Sequence, residues 1–171
     1  MCIRDSTYGF LGTAGHLNRE RLRELNDFGF EIGCHSMTHP YLSDLDDVGL
    51  QREIADSKVY LEQVLGKPVK HFSCPGGRVD QRVEEVAKAA GYQSVATSRL
   101  HVNSRSTNRY ALGRIAVMRQ IRLHEFDEFC RGHGFWRMNF QSGLRQGAKH
   151  LLGNAIYDRV RSAVLKPQAP E

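Results

Sequence analysis

The stretch Glu31-Ile-Gly-Cys-His-Ser-Met-Thr-His-Pro40 constrains the fold more than any other part of the chain. Phe30 to Cys34 is a short apolar run of strand character, and it ends in a polar turn that carries His35 and His39. Pro40 disfavours helical backbone angles at His39, so the spacing reads as a turn and not as one face of a helix. Two imidazoles that leave one strand end four residues apart converge on one divalent metal if the turn curls back. Imidazole suits zinc and similar ions. A bare H-x-x-x-H is common in loops, and the weight of this one comes from its surroundings.

Those surroundings alternate between strands and helices. Asn18 caps a helix expected over Arg19 to Phe28, with Leu22, Leu25 and Phe28 on its apolar stripe and Gly29 as its stop. After the histidine turn, Asp46 caps a second helix in which Leu50, Ile54, Leu61 and Leu65 recur at helical spacing. Gly66 and Pro68 end it. Val69 to Ser73 is a strand, and Pro75-Gly76-Gly77 is a loop. Asp80 caps a third helix with Val83, Val86, Ala87 and Ala90 facing inward and Gly91 as its stop. Tyr92 to Thr97 and Arg114 to Met118 are further strands, separated by a polar loop over Leu100 to Asn108. Such alternation predicts a parallel sheet or a barrel. In these folds the functional loops gather at the carboxyl ends of the strands. That rule puts the His35/His39 turn and the Pro75-Gly76-Gly77 loop on one rim. Glycine lets backbone approach a ligand closely, and its N–H groups can stabilise a developing oxyanion.

Composition removes several classes of function. At 171 residues, with 40% hydrophobic and 25% charged residues, the chain suits one globular domain with a real core. No apolar run approaches the roughly 20 residues of a membrane span. The net charge of +5 favours acidic partners, but no basic stripe is interleaved with aromatics, so nucleic acid is not an expected partner. No G-x-G-x-x-G or P-loop pattern supports a nucleotide site. Cys2, Cys34, Cys74 and Cys130 form no CxxC pair. Cys34 and Cys74 read as small buried residues, with a disulfide between them open if their strands are neighbours.

The histidine stretch resembles the metal-binding motif of the polysaccharide deacetylase (NodB-homology) family, H-[ST]-x-x-H after a glycine-containing strand. Phe72-Ser-Cys-Pro-Gly-Gly77 resembles that family's F-R-x-P-x-G motif, and Gly91-Tyr-Gln-Ser-Val-Ala-Thr97 also fits. The resemblance runs from about Tyr8 to Met118. It implies a distorted (β/α) barrel of the glycoside hydrolase/deacetylase type that holds one divalent metal, zinc by expectation. Two histidines and an aspartate would ligate it, and a second aspartate would act as base in the hydrolysis of an acetamide on an amino sugar. Carried over, His35 and His39 become metal ligands, and Pro75, Gly76 and Gly77 become the oxyanion and substrate loop.

The departures from the family pattern are as informative. The two aspartates belong to a T-F-D-D-G motif that should precede Tyr8, and this chain has none. Asp5 falls at the wrong point for a strand that ends near Tyr8. Asp44, Asp46 and Asp47 read as loop and helix-cap residues. The family's usual arginine is Ser73 here, with Arg78 nearby in sequence, and its usual tyrosine is Gly76. The late L-x-H motif is absent, and His124 reads as the start of a helix over Leu123 to Gly132. His16, His101, His133 and His150 read as loop or polar-face residues, and His71 as a strand residue.

These readings together give an incomplete barrel lacking its first strands, with a C-terminal helical tail. Residues 1–6 read as a non-native leader, 7–135 as the N-terminally truncated deacetylase-like domain, and 136–171 as a basic amphipathic helix and tail. No apolar segment follows Arg4, so Met1 to Ser6 is not a signal peptide, and a cytoplasmic or inner-membrane-peripheral location is expected. The function expected is that of a fragment of a metal-dependent carbohydrate N-deacetylase, inactive as written for want of its base. The alternative is a non-catalytic metal- or glycan-binding domain of the same fold. The partner expected is an acetylated amino-sugar glycan or a lipid-linked sugar.

The tail carries its own expectation. Over residues 143–166, Leu144, Ala148, Leu151, Leu152, Ala155, Ile156, Val160, Ala163 and Val164 recur at helical spacing beside five basic residues and one acid, Asp158. A basic amphipathic helix of this kind packs on its own domain or lies on an anionic membrane. Co-sedimentation with anionic but not neutral vesicles, lost at high salt and on deleting residues 143–171, is the outcome expected of membrane contact. An intact chain that ignores anionic vesicles would mark the helix as structural.

Overall fold

The computed structural model describes the backbone of residues 3–6 and the whole of residues 11–115, 117, 119 and 121–134. The chain divides into two compact units, residues 1–116 and 117–171. In the first, four short strands form one sheet: β1 (Ile3–Ser6), β2 (Glu31–Cys34), β3 (His71–Ser73) and β4 (Ser94–Ala96). All neighbours pair in parallel, in the order β1-β2-β3-β4. Helix α1 (Arg19–Asp27) joins β1 to β2. Helices α2 (Asp47–Gln51) and α3 (Ser57–Leu65) join β2 to β3, and α4 (Gln81–Ala89) joins β3 to β4. Parallel strands in sequential order, with right-handed crossovers, wind their helices round one side of the sheet. A doubly wound sheet would reverse its strand order instead. The fold is therefore α/β with a partial parallel sheet, an incomplete barrel.

Local sequence explains most element ends. The side chains of Asn18, Asp46 and Asp80 accept from the backbone N–H of Arg21, Gly49 and Val83 at 2.9, 2.8 and 3.0 Å, each meeting a donor that the first helical turn leaves open. Gly66 closes α3 with φ of +68°, where a side chain would be strained. The core lies between sheet and helices. Leu22, Ile32, Leu50, Ile54, Leu61, Phe72, Val83 and Val95 are buried in it, each large side chain contributing roughly 1.5–3 kcal/mol.

The second helix of the sequence reading is interrupted. Between α2 and α3, residues Arg52–Asp56 form a π-helical turn. This extra residue per turn brings Glu53, Ile54 and Ser57 inside together and leaves backbone carbonyls looking for donors. The Ser57 hydroxyl lies 2.6 Å from the Glu53 carbonyl, and the buried Tyr92 hydroxyl donates to the Ile54 carbonyl at 3.1 Å. The expected inner residue Leu65 is only partly buried, and Val64 takes its place.

Other expectations are corrected. Residues 3–6, which belong to the expected non-native leader, form β1, with Ile3 opposite Glu31 and Ser6 opposite Cys34. Phe28, expected on the inner stripe of α1, is 81% exposed, because the helix ends at Asp27 and Phe28 is its cap. No strand forms at Arg114 and Ile115. Leu112 instead makes a single parallel bridge to Ala96. Cys34 and Cys74 are free thiols. Burial pushes both up in pKa, Cys74 to about 12, so they stay protonated and inert at neutral pH.

In the second unit, α5 spans Leu123–Cys130, shorter than the expected run to Gly132, and the Glu125 side chain accepts from the Arg122 N–H at 2.9 Å. Among the described residues no helix is long and apolar enough to cross a membrane. The tail over residues 143–166 and the proposed boundary at 135/136 lie outside the described residues.

Tyr92 offers a direct check on the π turn. Replacing it with Phe removes the donor to the Ile54 carbonyl at a buried site, and chemical denaturation should register a loss of about 1–2 kcal/mol. A variant as stable as the parent would mean that the hydroxyl contributes nothing there.

Candidate metal centre

Strand β2 ends at Cys34, and the chain turns sharply over His35 to His39. Ser36 and His39 both adopt left-handed backbone angles, with φ of +71° and +66°, a region costly to residues other than glycine. Two contacts hold the turn. The buried Ser36 hydroxyl oxygen accepts from the His39 N–H at 3.0 Å. Glu53, only 6% exposed, reaches in from the π turn. Its carboxylate accepts from the N–H groups of Met37 and Thr38 at 2.8 and 2.9 Å and from the Thr38 hydroxyl at 2.7 Å. One carboxylate thus meets three donors of a turn about fifteen residues away in sequence.

The turn brings the two histidines together. Their ring centroids lie 4.9 Å apart at an interplanar angle of 69°. His35 Nδ1 lies 2.6 Å from the Ser73 carbonyl oxygen. A carbonyl only accepts, so Nδ1 carries the proton, and the lone pair of the neutral ring sits on Nε2. Such a carbonyl contact is what orients a metal-binding imidazole. His35 is half-buried and His39 exposed. The donor chemistry therefore fits a divalent ion that takes nitrogen ligands. Among the described residues, no three His, Cys, Asp or Glu side chains gather as a metal site.

The Pro75-Gly76-Gly77 loop follows β3 on the same rim. Gly76 and Gly77 have φ of +59° and +66°. A Cβ on Gly77 would sit 2.4 Å from the Ser98 backbone nitrogen, so only glycine fits there. The Gly77 N–H donates to the Cys74 carbonyl at 2.8 Å and is thereby used. Gly76 is exposed, and no acceptor among the described residues meets its N–H. Over Gly76 lies the ring of Tyr41, which would come within 2.6 Å of a Cβ at that position. An aromatic ring from the histidine-turn side thus occupies the space next to the glycine. The Arg78 guanidinium stacks on that ring, 3.7 Å from its centroid, with Asp44 at 3.7 Å. Arg78 is therefore directed at Tyr41. The arginine that reaches Ser73 is Arg114, whose Nη1 donates to the Ser73 hydroxyl at 2.5 Å.

The remaining sequence candidates fall elsewhere. Asp46 caps α2, and Asp47 is exposed. Asp5 pairs in register with Gly33, one residue before the last of β1. His71 opens β3 at the opposite rim, between Glu31 at 2.9 Å and Ser94 at 2.7 Å. His101 is half-buried beside Gly113. His16 is exposed in a turn with Thr13, and His133 is exposed near Glu128. His124 is an exposed residue of α5 in the second unit. His150 lies outside the described residues. Glu53 and Arg114 escaped the sequence reading. Glu53 carried one signal, an acid on the inner face between Leu50 and Ser57.

Comparison with known proteins agrees with this architecture. The polysaccharide deacetylase family model matches residues 6–95, more than half of the chain. The chain belongs to the polysaccharide deacetylase family. It is 34% identical over 94 residues to a peptidoglycan-N-acetylglucosamine deacetylase of Bacillus cereus, a match covering 55% of this chain and 44% of the relative. A second relative, from Bacillus subtilis, is 31% identical over 107 residues, covering 63% of this chain and 38% of the relative. The chain spans less than half the length of each. Among solved structures, the deacetylase PplD of Streptococcus pyogenes, in complex with acetate, superposes with a TM-score of 0.69 at 21% identity, covering 74% of this chain and 57% of that one. A polysaccharide deacetylase from Bacillus cereus gives 0.65 at 22% identity, covering 75% and 42%. These structural likenesses establish the shared fold.

Glu53→Ala should show whether the carboxylate sets the turn. Loss of three hydrogen bonds to a charged acceptor is expected to cost about 2–3 kcal/mol in denaturant unfolding. Retained stability would mean that the turn holds without Glu53.

Proposed function

We propose that this chain carries the histidine half of a metal-dependent carbohydrate N-deacetylase site, with zinc as the resident ion and an acetylated amino-sugar glycan as substrate. The observation that supports it best is the His35/His39 pair, edge to face at 4.9 Å, with His35 Nδ1 committed to the Ser73 carbonyl. His35 and His39 would hold the ion. Zinc in such a site supplies Lewis acidity toward an amide carbonyl and toward water.

The chain's own residues supply the rest of the reading. The exposed Gly76 N–H offers a donor to an amide oxygen as negative charge develops on it. Tyr41, beside Gly76 and partly exposed, offers an aromatic wall to a sugar ring. The Ser73 carbonyl and Glu53 hold the first histidine and the turn. No base is assigned to this chain, and a positioned base is usually worth about 10²–10⁴ in rate. The chain as written is therefore expected to bind zinc loosely and to release no acetate. A second reading, a non-catalytic glycan- or metal-binding domain, is favoured by Ser73 and Gly76, which stand where the family pattern has arginine and tyrosine.

Zinc titration of the parent and of His35→Ala/His39→Ala tests the site: the parent should bind and the double variant should not. Equal binding by both would remove the assignment. Metal-dependent acetate release from an acetylated chito-oligosaccharide, lost in His39→Ala, would overturn the expectation of inactivity. Binding of that oligosaccharide without acetate release would support the second reading.

A further inference from the structure

The sequence comparison leaves the rim without its arginine, because position 73 is serine. In the fold a guanidinium is nevertheless there. Arg114 lies beyond the segment that the family model matches, residues 6–95, and within the first compact unit. Its Nη1 donates to the Ser73 hydroxyl at 2.5 Å, and its Nε donates to the Thr97 carbonyl at 2.9 Å. Guanidinium is permanently charged, planar and rigid, so two such anchors set its plane.

The two acceptors lie just where the sheet stops. Where β3 and β4 end, the Cys74 N–H donates to the Ala96 carbonyl at 3.0 Å. Ser73 and Thr97 flank that contact, and both are buried. The segment that carries Arg114 is itself laced to the end of β4. The Thr97 N–H donates to the Leu112 carbonyl at 2.8 Å, and the Arg114 N–H donates to the Arg99 carbonyl at 3.1 Å. Arg114 therefore joins the strand ends from outside, and the residue that it grips is the one whose carbonyl receives His35 Nδ1–H.

We propose that Arg114 is a positioning residue of the candidate metal centre: acting through Ser73, it holds the His35 imidazole in its metal-binding tautomer and orientation. The inference rests on the reading of His35 and His39 as metal ligands. It also changes the meaning of Ser73. A serine at that position makes room for, and hydrogen-bonds to, an arginine brought in from a different part of the chain.

The experiment compares the full-length parent with Arg114→Ala, Arg114→Lys, Ser73→Ala and the Arg114→Ala/Ser73→Ala double variant. In the metal-free proteins, ¹⁵N–¹H spectra of the imidazoles report the His35 Nδ1–H. It should be a protected signal in the parent, and be lost or exchange faster in Arg114→Ala. Zinc titration should show affinity falling about tenfold in Arg114→Ala, as for other outer partners of metal-binding histidines. Lysine at 114 should restore only part, since it cannot span both acceptors. The double variant should bind zinc no worse than either single one if Arg114 acts through the Ser73 hydroxyl.

An Arg114→Ala protein that melts cooperatively, keeps the Nδ1–H signal and stays within twofold of the parent in zinc affinity overturns the proposal. Should that variant fail to fold, the signal in Ser73→Ala and Arg114→Lys decides the matter: unchanged in both, it overturns the proposal, and weakened in both, it supports it. A parent that binds no zinc would defeat the metal reading alone, because the metal-free signal still tests Arg114.

Discussion

The carboxylate of Glu53 is the contact on which the rest of the site depends. The turn after β2 places two residues other than glycine in the left-handed region, each at a cost of order 1–3 kcal/mol. That conformation survives because its N–H groups and a hydroxyl point at a buried anion. Glu53 can reach them only because the helix behind β2 widens into a π turn and carries it inward. Widening frees carbonyls, and Tyr92 and Ser57 meet them. A chain of polar contacts thus runs from Tyr92, just before β4, to the histidine turn.

What was legible in the sequence was local. Helix caps at Asn18, Asp46 and Asp80 are each written within three residues of the donors that they meet. Gly66 and Gly91 end their helices for backbone reasons that need no tertiary context. The histidine turn, the two-glycine loop and their common rim followed from strand ends. What was not legible depended on distance along the chain. Glu53 acts on residues 15 and 16 positions away, and Arg114 acts on a residue 41 positions away. No periodicity encodes such pairings. Phe28 was misplaced because a stripe predicts a facing side only while the helix lasts. The expected strand at Arg114 is reduced to the single bridge at Leu112, because the Arg114 N–H turns to the Arg99 carbonyl beyond the end of β4 in place of continuing a ladder.

Substitutions within a motif can also be misread as losses when a sequence is compared position by position. Gly76 lacks a ring, yet the ring of Tyr41 lies against its Cα. Ser73 lacks a guanidinium, yet that of Arg114 meets its hydroxyl. Arg78, the nearer arginine in sequence, is turned to Tyr41 and Asp44. Spatial neighbourhood and sequence neighbourhood therefore assign opposite parts to the two arginines.

The π turn has a further consequence, for the lengths this segment can adopt. Deleting one residue from Arg52–Asp56 would restore an ordinary helix, and because the wide turn only absorbs one extra residue, the later residues of α3 would keep their rotation and rise. Ser57, Leu61 and Val64 would still face the core, and the inward place of Glu53 would be lost. Chains that share this site should accordingly vary in length elsewhere, as in the exposed loop around residues 102–106, while a chain one residue shorter between the histidine turn and Gly66 should keep its helix and lose the acid that holds the turn. An irregularity in one helix thus becomes a rule about where insertions and deletions are tolerated.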